Sequence, residues 1–118
     1  MVGTDYATMH TRTLLNRRLA DADARVLAAE EELDAVRSAR GDANADDEHD
    51  PEGSTLSSDW SRVEGIVRAA DAQRTAIQLA FARLDAGSYG LCLNCGAPIA
   101  PGRLAARPEA ELCIDCAR

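Results

Sequence analysis

The sequence predicts a mainly α-helical protein: a long antiparallel helical hairpin, in the manner of a coiled coil, with an acidic tip and a small C-terminal lobe built on four cysteines. Of its 118 residues, 23 are Ala and only four are aromatic, which favours long helices over a large packed core. Heptad patterning over two stretches and paired cysteines near the end complete the prediction. The expected hairpin is 1–86, with helices at about 6–40 and 55–86 around a tip at 41–53, followed by the lobe at 87–118.

Each predicted helix carries a continuous seam with alternating steps of three and four residues, as a coiled coil requires. The first seam is Leu15, Leu19, Ala22, Val26, Ala29, Leu33 and Val36. The second is Trp60, Val63, Val67, Ala70, Arg74, Ile77, Phe81 and Leu84, with Arg74 as its charged interruption. The similar lengths and the turn between them favour pairing within one chain, and therefore a monomer, over pairing of two chains.

The stretch between the seams, residues 41–53, reads GDANADDEHDPEG and is typical of a turn because it holds Gly, Pro, Asn and Asp. Its acids supply −6 of the net charge of −7: Asp42, Asp46, Asp47, Glu48, Asp50 and Glu52. One interpretation is a solvated turn whose residues help to cap the second helix. The other is a concentrated charge that the hairpin presents to a partner.

The cysteines follow the pattern C-x2-C-x17-C-x2-C, which is metal-ligand spacing. Four thiolates can close a tetrahedral shell around one structural zinc ion, with Cys92, Cys95, Cys113 and Cys116 as ligands. A redox dithiol would call for a βαβ context that the sequence lacks, and an iron site with the same four sulfurs is the remaining alternative.

Composition and charge exclude several classes of function. An acidic chain with 13 Arg and 20 acids is poorly suited to bind a phosphate backbone, so we expect no direct DNA binding. No apolar run is long enough to cross a membrane and no signal peptide is evident, which indicates the cytoplasm. The sequence offers no nucleophile paired with a base and no phosphate-binding Gly loop, so we expect no enzyme.

The region from Gly87 to Cys116 resembles the DksA/TraR family of zinc-containing regulators of bacterial RNA polymerase. The residues that carry the resemblance are Gly87, Tyr89, Gly90, Cys92, Cys95, Gly96, Ile99, Arg103, Leu104, Ala106, Pro108, Cys113 and Cys116. The layout of a hairpin with an acidic tip agrees with the family over residues 10–118.

The resemblance implies a regulator of transcription initiation whose hairpin enters the secondary channel of RNA polymerase, with tip acids near the catalytic magnesium. Asp47, Asp50 and Glu52 are the candidate tip residues. The family pattern Asp-x-x-Asp-x-Ala is not reproduced in any of three registers. Aligning Asp47 and Asp50 puts Glu52 where Ala is expected, and aligning Asp50-Pro51 leaves Gly53 at the second acid. Counting back from Cys92 without gaps instead places His49, Glu52 and Ser54 at the three positions.

Family members also share a guanosine tetraphosphate site with the polymerase. Arg103 and Arg107 occupy basic positions of the motif and are candidate polymerase or nucleotide contacts. Ala76 and Ala117 replace two other basic positions, which argues against dependence on this nucleotide. The competing hypothesis is a zinc-capped helical adaptor without polymerase activity, although such a protein has no use for six acids in one loop.

Overall fold

The computed structural model describes the backbone of residues 6–46 and 52–118, and their side chains except those of residues 40, 42–46 and 52–57. Two long helices, α1 (Tyr6–Asp46) and α2 (Glu52–Ala86), precede two short ones, α3 (Pro101–Ala106) and α4 (Ile114–Ala117). Only an isolated antiparallel bridge, Leu91 with Pro98, represents β-structure in the described residues. The predicted fold class, mainly helical with two long helices and a C-terminal cluster of four cysteines, is confirmed.

The long helices extend further than the sequence predicted. α1 ends at Asp46 instead of about residue 40, and α2 begins at Glu52 instead of about residue 55. Gly41 therefore does not end α1. A single Gly costs only about 1 kcal/mol in a helix interior, and Ala43 and Ala45 on its C-terminal side are strong helix formers. Among the described residues, no helix is long and apolar enough to cross a bilayer.

The chain divides into two compact units, and neither boundary coincides with the one predicted between residues 86 and 87. The described residues up to Asp21 and Gln73–Arg118 form one unit, here called the zinc unit, and those of Ala22–Ala72 form the other, the helical unit. The difference arises because the C-terminal lobe packs on the adjoining turns of both long helices. The predicted boundary was placed where the sequence pattern changes, whereas the compact units are defined by which residues contact each other in space.

Burial follows the predicted seams. On α1 the buried seam residues are Leu15, Ala22, Val26 and Ala29, and on α2 they are Val63, Ala70 and Ile77. Ala80, outside the predicted seam, is also buried, whereas its neighbour Phe81, a predicted seam residue, is half-buried. Positions seven residues apart recur on each helix, which confirms the heptad pattern. In the helical unit, Arg62 of α2 donates to Glu32 of α1 (Nη2 to Oε1, 2.9 Å), so a late part of α1 lies beside an early part of α2, as antiparallel pairing requires.

In the zinc unit, α1 and α2 also run antiparallel. Arg12 near the start of α1 forms an ion pair with Asp85 near the end of α2 (2.8 Å) and lies 6.0 Å from the centre of the Phe81 ring. α2 then ends in a Schellman motif: the amide of Ser88 donates to the carbonyl of Arg83 (2.9 Å), and Gly87 takes a φ of +82°. This turn directs the chain into the C-terminal lobe.

Candidate metal centre

The four cysteine sulfurs converge at one point of the C-terminal lobe. All four Sγ atoms lie within 4.8 Å of one another, and those of Cys95 and Cys113 are 3.8 Å apart. Four sulfurs at about 2.3 Å from a tetrahedral zinc ion would be about 3.8 Å from each other, so the donor set fits this metal. The cysteines are positioned to coordinate one metal ion, as the sequence predicted.

The backbone around the first cysteine pair forms a tight loop. The amide of Cys92 donates to the carbonyl of Ala97 (2.8 Å), and the amide of Gly96 donates back to Cys92 (2.9 Å). Gly96 closes the loop with a φ of +79°, a conformation that L side chains rarely adopt. The amide of Leu93 donates to the carbonyl of Glu111 (2.9 Å), which joins this loop to the segment before the second pair.

Electrostatics at the sulfurs favour a bound cation. The backbone amides of Cys95, Cys113 and Asn94 donate toward Sγ of Cys92, and together they lower the pKa of that thiol to about 6. The Asn94 side chain donates to Sγ of Cys116 (3.3 Å) and lowers the pKa of that thiol, but the other three cysteines raise it more, to about 12. Four thiols cannot all ionise so close together unless a cation compensates their charge.

Three side chains brace the lobe around this centre. The hydroxyl of Tyr89 donates to the carbonyl of Pro108 (2.7 Å), and Nε of Arg103 donates to the carbonyl of Leu112 (2.8 Å). Arg18 donates two hydrogen bonds to the carboxylate of Glu109. One runs from Nε to Oε1 (3.0 Å), and the other runs from Nη2 to Oε2. These bonds fix the segment that leads into Cys113.

Glu109 is a residue whose role the sequence analysis missed. It is only 5% exposed, and its partner Arg18 stands 91 residues earlier in the chain. Burial raises the pKa of Glu109, but the hydrogen bonds and charge of Arg18 lower it more, so that this pKa lies below its usual value. No local pattern signals such a pair. The role of Asn94, by contrast, could have been suspected from its place between two ligands.

The two arginines that the sequence singled out lie together. Arg103 and Arg107 line a shallow cleft of about 190 Å³ whose other lining residues are Ala76, Glu109, Ala110, Glu111 and Leu112. Arg103 is half-buried and bonded to the backbone, whereas Arg107 is exposed. The cleft therefore combines two cations with two carboxylates.

The structure does not describe the side chains of the predicted tip residues. Asp47 and Asp50 lie outside the described residues. Glu52 is the first residue of α2, and its side chain is likewise outside the described part of the chain.

Comparison with known proteins identifies the lobe. Residues 87–118 match the model of the prokaryotic dksA/traR C4-type zinc finger. Over 40 residues the chain is 48% identical to the RNA polymerase-binding transcription factor DksA of Haemophilus influenzae. The fold matches that of transcription factor DksA2 from Pseudomonas aeruginosa with a TM-score of 0.78, at 23% identity, over 98% of this chain and 84% of that one. Residues 87–118 are therefore similar to the zinc finger of the DksA/TraR family.

The DksA/TraR likeness in sequence is concentrated in one part of the molecule. The match to the Haemophilus influenzae protein covers 34% of this chain and 28% of that relative. The long helices share a fold with DksA2 without close sequence likeness, because a seam of Ala, Leu and Val constrains residue size and not identity. The cysteines and Gly96 are constrained individually, the cysteines by metal geometry and Gly96 by its backbone conformation.

Proposed function

We propose that the chain is an RNA polymerase-binding transcription regulator, which inserts the acidic segment 41–53 into the secondary channel of the enzyme and modulates transcription initiation. The observation that carries this proposal is the combination of a zinc finger similar to that of the DksA/TraR family with two long paired helices and six acids in segment 41–53, where the two helices are joined. The name of the Haemophilus influenzae relative, an RNA polymerase-binding transcription factor, supports the same class of partner and activity.

In this proposal the carboxylates of Asp47, Asp50 and Glu52 act by charge near the catalytic magnesium. Two unit charges about 4 Å apart interact by about 4 kcal/mol at an effective dielectric constant of 20, against about 1 kcal/mol in water. Insertion into a channel that excludes water therefore decides how strongly the acids act. The zinc is structural and takes no part in this step, since all four of its positions are filled by protein sulfur.

We further propose that the regulator acts without guanosine tetraphosphate. The cleft at Arg103 and Arg107 has Ala76 where a cation would assist a polyphosphate, and its carboxylates Glu109 and Glu111 oppose one. Nε of Arg103 is already committed to a backbone carbonyl. Arg107 is the better candidate for a direct polymerase contact, because it is exposed.

The remaining elements of the proposal concern partners and location. We propose a cytoplasmic monomer that is not an enzyme and that reaches promoters only through the polymerase. A gel-shift titration of promoter DNA with the isolated protein should show no complex at physiological salt. A discrete complex with a steep salt dependence would contradict the exclusion of nucleic acid.

The decisive experiment compares the wild type with the triple variant Asp47→Asn, Asp50→Asn, Glu52→Gln. Co-purification with core RNA polymerase tests the partner, and transcription from a sensitive promoter at equal polymerase occupancy tests the mechanism. We expect binding to survive and the effect on transcription to collapse. If both proteins bind and affect transcription equally, RNA polymerase remains the proposed partner but the charged-tip mechanism is refuted. If the wild type does not bind the polymerase, the adaptor hypothesis is favoured.

A further inference from the structure

The last of the four cysteines, Cys116, lies on a short helix that has little packing of its own. None of the four residues of α4, all of which the structure describes, is buried. The closing backbone bond of this helix, from the amide of Ala117 to the carbonyl of Cys113 (2.9 Å), stays within the same turn. Cys92, by contrast, is only 3% exposed. The position of Cys116 therefore depends mainly on what its sulfur contacts.

Asn94 contacts this sulfur from the loop of the other cysteine pair. It follows Cys92 by two residues, yet its Nδ2 donates to Sγ of Cys116 (3.3 Å), 22 residues further along the chain. A metal-bound cysteine is a thiolate, which accepts hydrogen bonds and cannot donate them. Hydrogen bonds to ionised acceptors are about twice as strong as those between neutral groups. The Asn94 side chain thus connects the two cysteine pairs in addition to the metal.

Asn94 is the suitable donor among the residues that stand between paired ligands. Two residues separate the cysteines of each pair, and the other three offer no side-chain donor to a thiolate: Leu93, Ile114 and the carboxylate of Asp115. The backbone also holds Asn94 in place, because the amide of Leu93 donates to the carbonyl of Glu111 (2.9 Å). Two residues later the chain turns at Gly96, with a φ of +79°. The bond to Cys116 therefore requires little further ordering of the backbone.

We propose that Asn94 is a positioning residue of the metal centre, whose amide holds Sγ of Cys116 toward the other three sulfurs and thereby slows the release of zinc. The inference concerns metal retention and does not depend on the polymerase as partner. Loss of a hydrogen-bond partner outside the metal shell lowers metal affinity about 10- to 100-fold. Because Asn94 is exposed, we expect the lower end of this range, about tenfold, mainly in the release rate.

The test measures zinc release from the zinc-loaded, full-length protein into an excess of a chromophoric chelator. Asn94→Leu removes the donor at similar size and should release zinc about tenfold faster. Asn94→Asp places a negative charge beside the sulfurs and should release zinc faster still. Asn94→Gln keeps an amide donor, for which the exposed site has room, and should recover most of the wild-type rate.

A second measurement separates positioning of the sulfur from general stability. In the cobalt-substituted proteins, loss of a hydrogen bond raises the energy of the sulfur electrons. The sulfur-to-cobalt charge-transfer band of Asn94→Leu should therefore move to longer wavelength, while Asn94→Gln should keep the wild-type band.

Asn16→Leu is the matched control, because Asn16 is exposed on α1 in the same zinc unit. We expect this variant to keep the wild-type release rate and cobalt spectrum. Equal release rates for the wild type and Asn94→Leu would overturn the inference, and so would equal acceleration by Asn94→Leu and Asn16→Leu. An unchanged charge-transfer band in Asn94→Leu would also overturn it, since faster release would then reflect a general loss of stability.

Discussion

The zinc unit and the helical unit are stabilised in different ways. In the zinc unit, directional bonds connect residues far apart in sequence: Arg18 with Glu109, and Tyr89 with the carbonyl of Pro108. In the helical unit, small apolar residues recur every seven positions, and the polar contacts between helices, such as Arg62 with Glu32, are exposed.

This difference shows that one chain can combine two kinds of specificity. A metal shell and buried hydrogen bonds permit a single arrangement, because any other leaves a buried polar group unpaired. A seam of Ala and Val is less selective by itself, because successive heptads present similar apolar surfaces. We expect the zinc unit to lose stability abruptly when it is disturbed and the helical unit to respond gradually.

Metal removal should have the largest effect and should separate the two units. Structural zinc contributes about 10–16 kcal/mol in small zinc-finger peptides, so chelation should unfold residues 87–118 while most helicity remains. Elemental analysis should give one zinc per chain, and circular dichroism before and after chelation should show only a limited loss of helical signal. If freshly purified, reduced protein contains no metal, the assignment of the four cysteines as zinc ligands is contradicted.

A core substitution in the zinc unit should have the next largest effect. Ile77 is fully buried, and Ile77→Ala should lower the free energy of unfolding by about 3 kcal/mol through lost burial and a residual cavity. Leu79→Ala is the control two residues away, since Leu79 is 49% exposed, and it should cost less than about 1 kcal/mol. Urea denaturation of the zinc-bound proteins measures both. Equal costs would mean that the metal alone, without the helix packing, determines the stability of this unit.

Loss of the buried ion pair should follow. Glu109→Gln leaves Arg18 without a charged partner and should cost about 2–3 kcal/mol in the free energy of unfolding at pH 7, because hydrogen bonds between ionised groups are the stronger ones. Urea denaturation of the zinc-bound variant gives this value. A cost no greater than that of an exposed pair would show that the lobe does not depend on this contact.

The same pair predicts a pH dependence with a definite sign. Since the pKa of Glu109 is lower in the folded protein, its contribution is complete above the unfolded value of about 4.3 and is lost as the pH falls through the folded value. The stability difference between the wild type and Glu109→Gln should therefore be constant from pH 7 to about 5 and shrink below that. Zinc release on acidification affects both proteins and cancels in the difference. A stability difference between the two proteins that widens as the pH falls would contradict the lowered pKa of Glu109.

Loss of an exposed ion pair in the helical unit should have the smallest effect. Glu32→Gln is the same chemical change as Glu109→Gln, but Glu32 and Arg62 are 47% and 56% exposed. Solvent screening limits its cost to less than about 1 kcal/mol, and the difference from the wild type should vanish in high salt. Thermal unfolding at low and high salt measures it. A cost equal to that of Glu109→Gln would remove the contrast between the two units.

Much of the fold was predictable because its signals are local or periodic. Seam residues such as Leu15, Val26, Val63 and Ile77 are buried as predicted, since a helix places residues three and four positions apart on one face. The helix ends were less predictable. Gly41 is a weak helix breaker, and only the balance over the whole segment decides whether α1 continues past it.

The sequence by itself determined the two seams, the four thiols of one metal shell and the concentration of acids in segment 41–53, because each of these depends on spacing along the chain. Tertiary structure alone decided that Glu109 would meet Arg18, that Tyr89 would donate to Pro108 and that Arg37 would stack on Trp60. These pairs join residues between 19 and 91 positions apart. Their partners are chosen by the packing of whole elements against one another, which no short sequence pattern encodes.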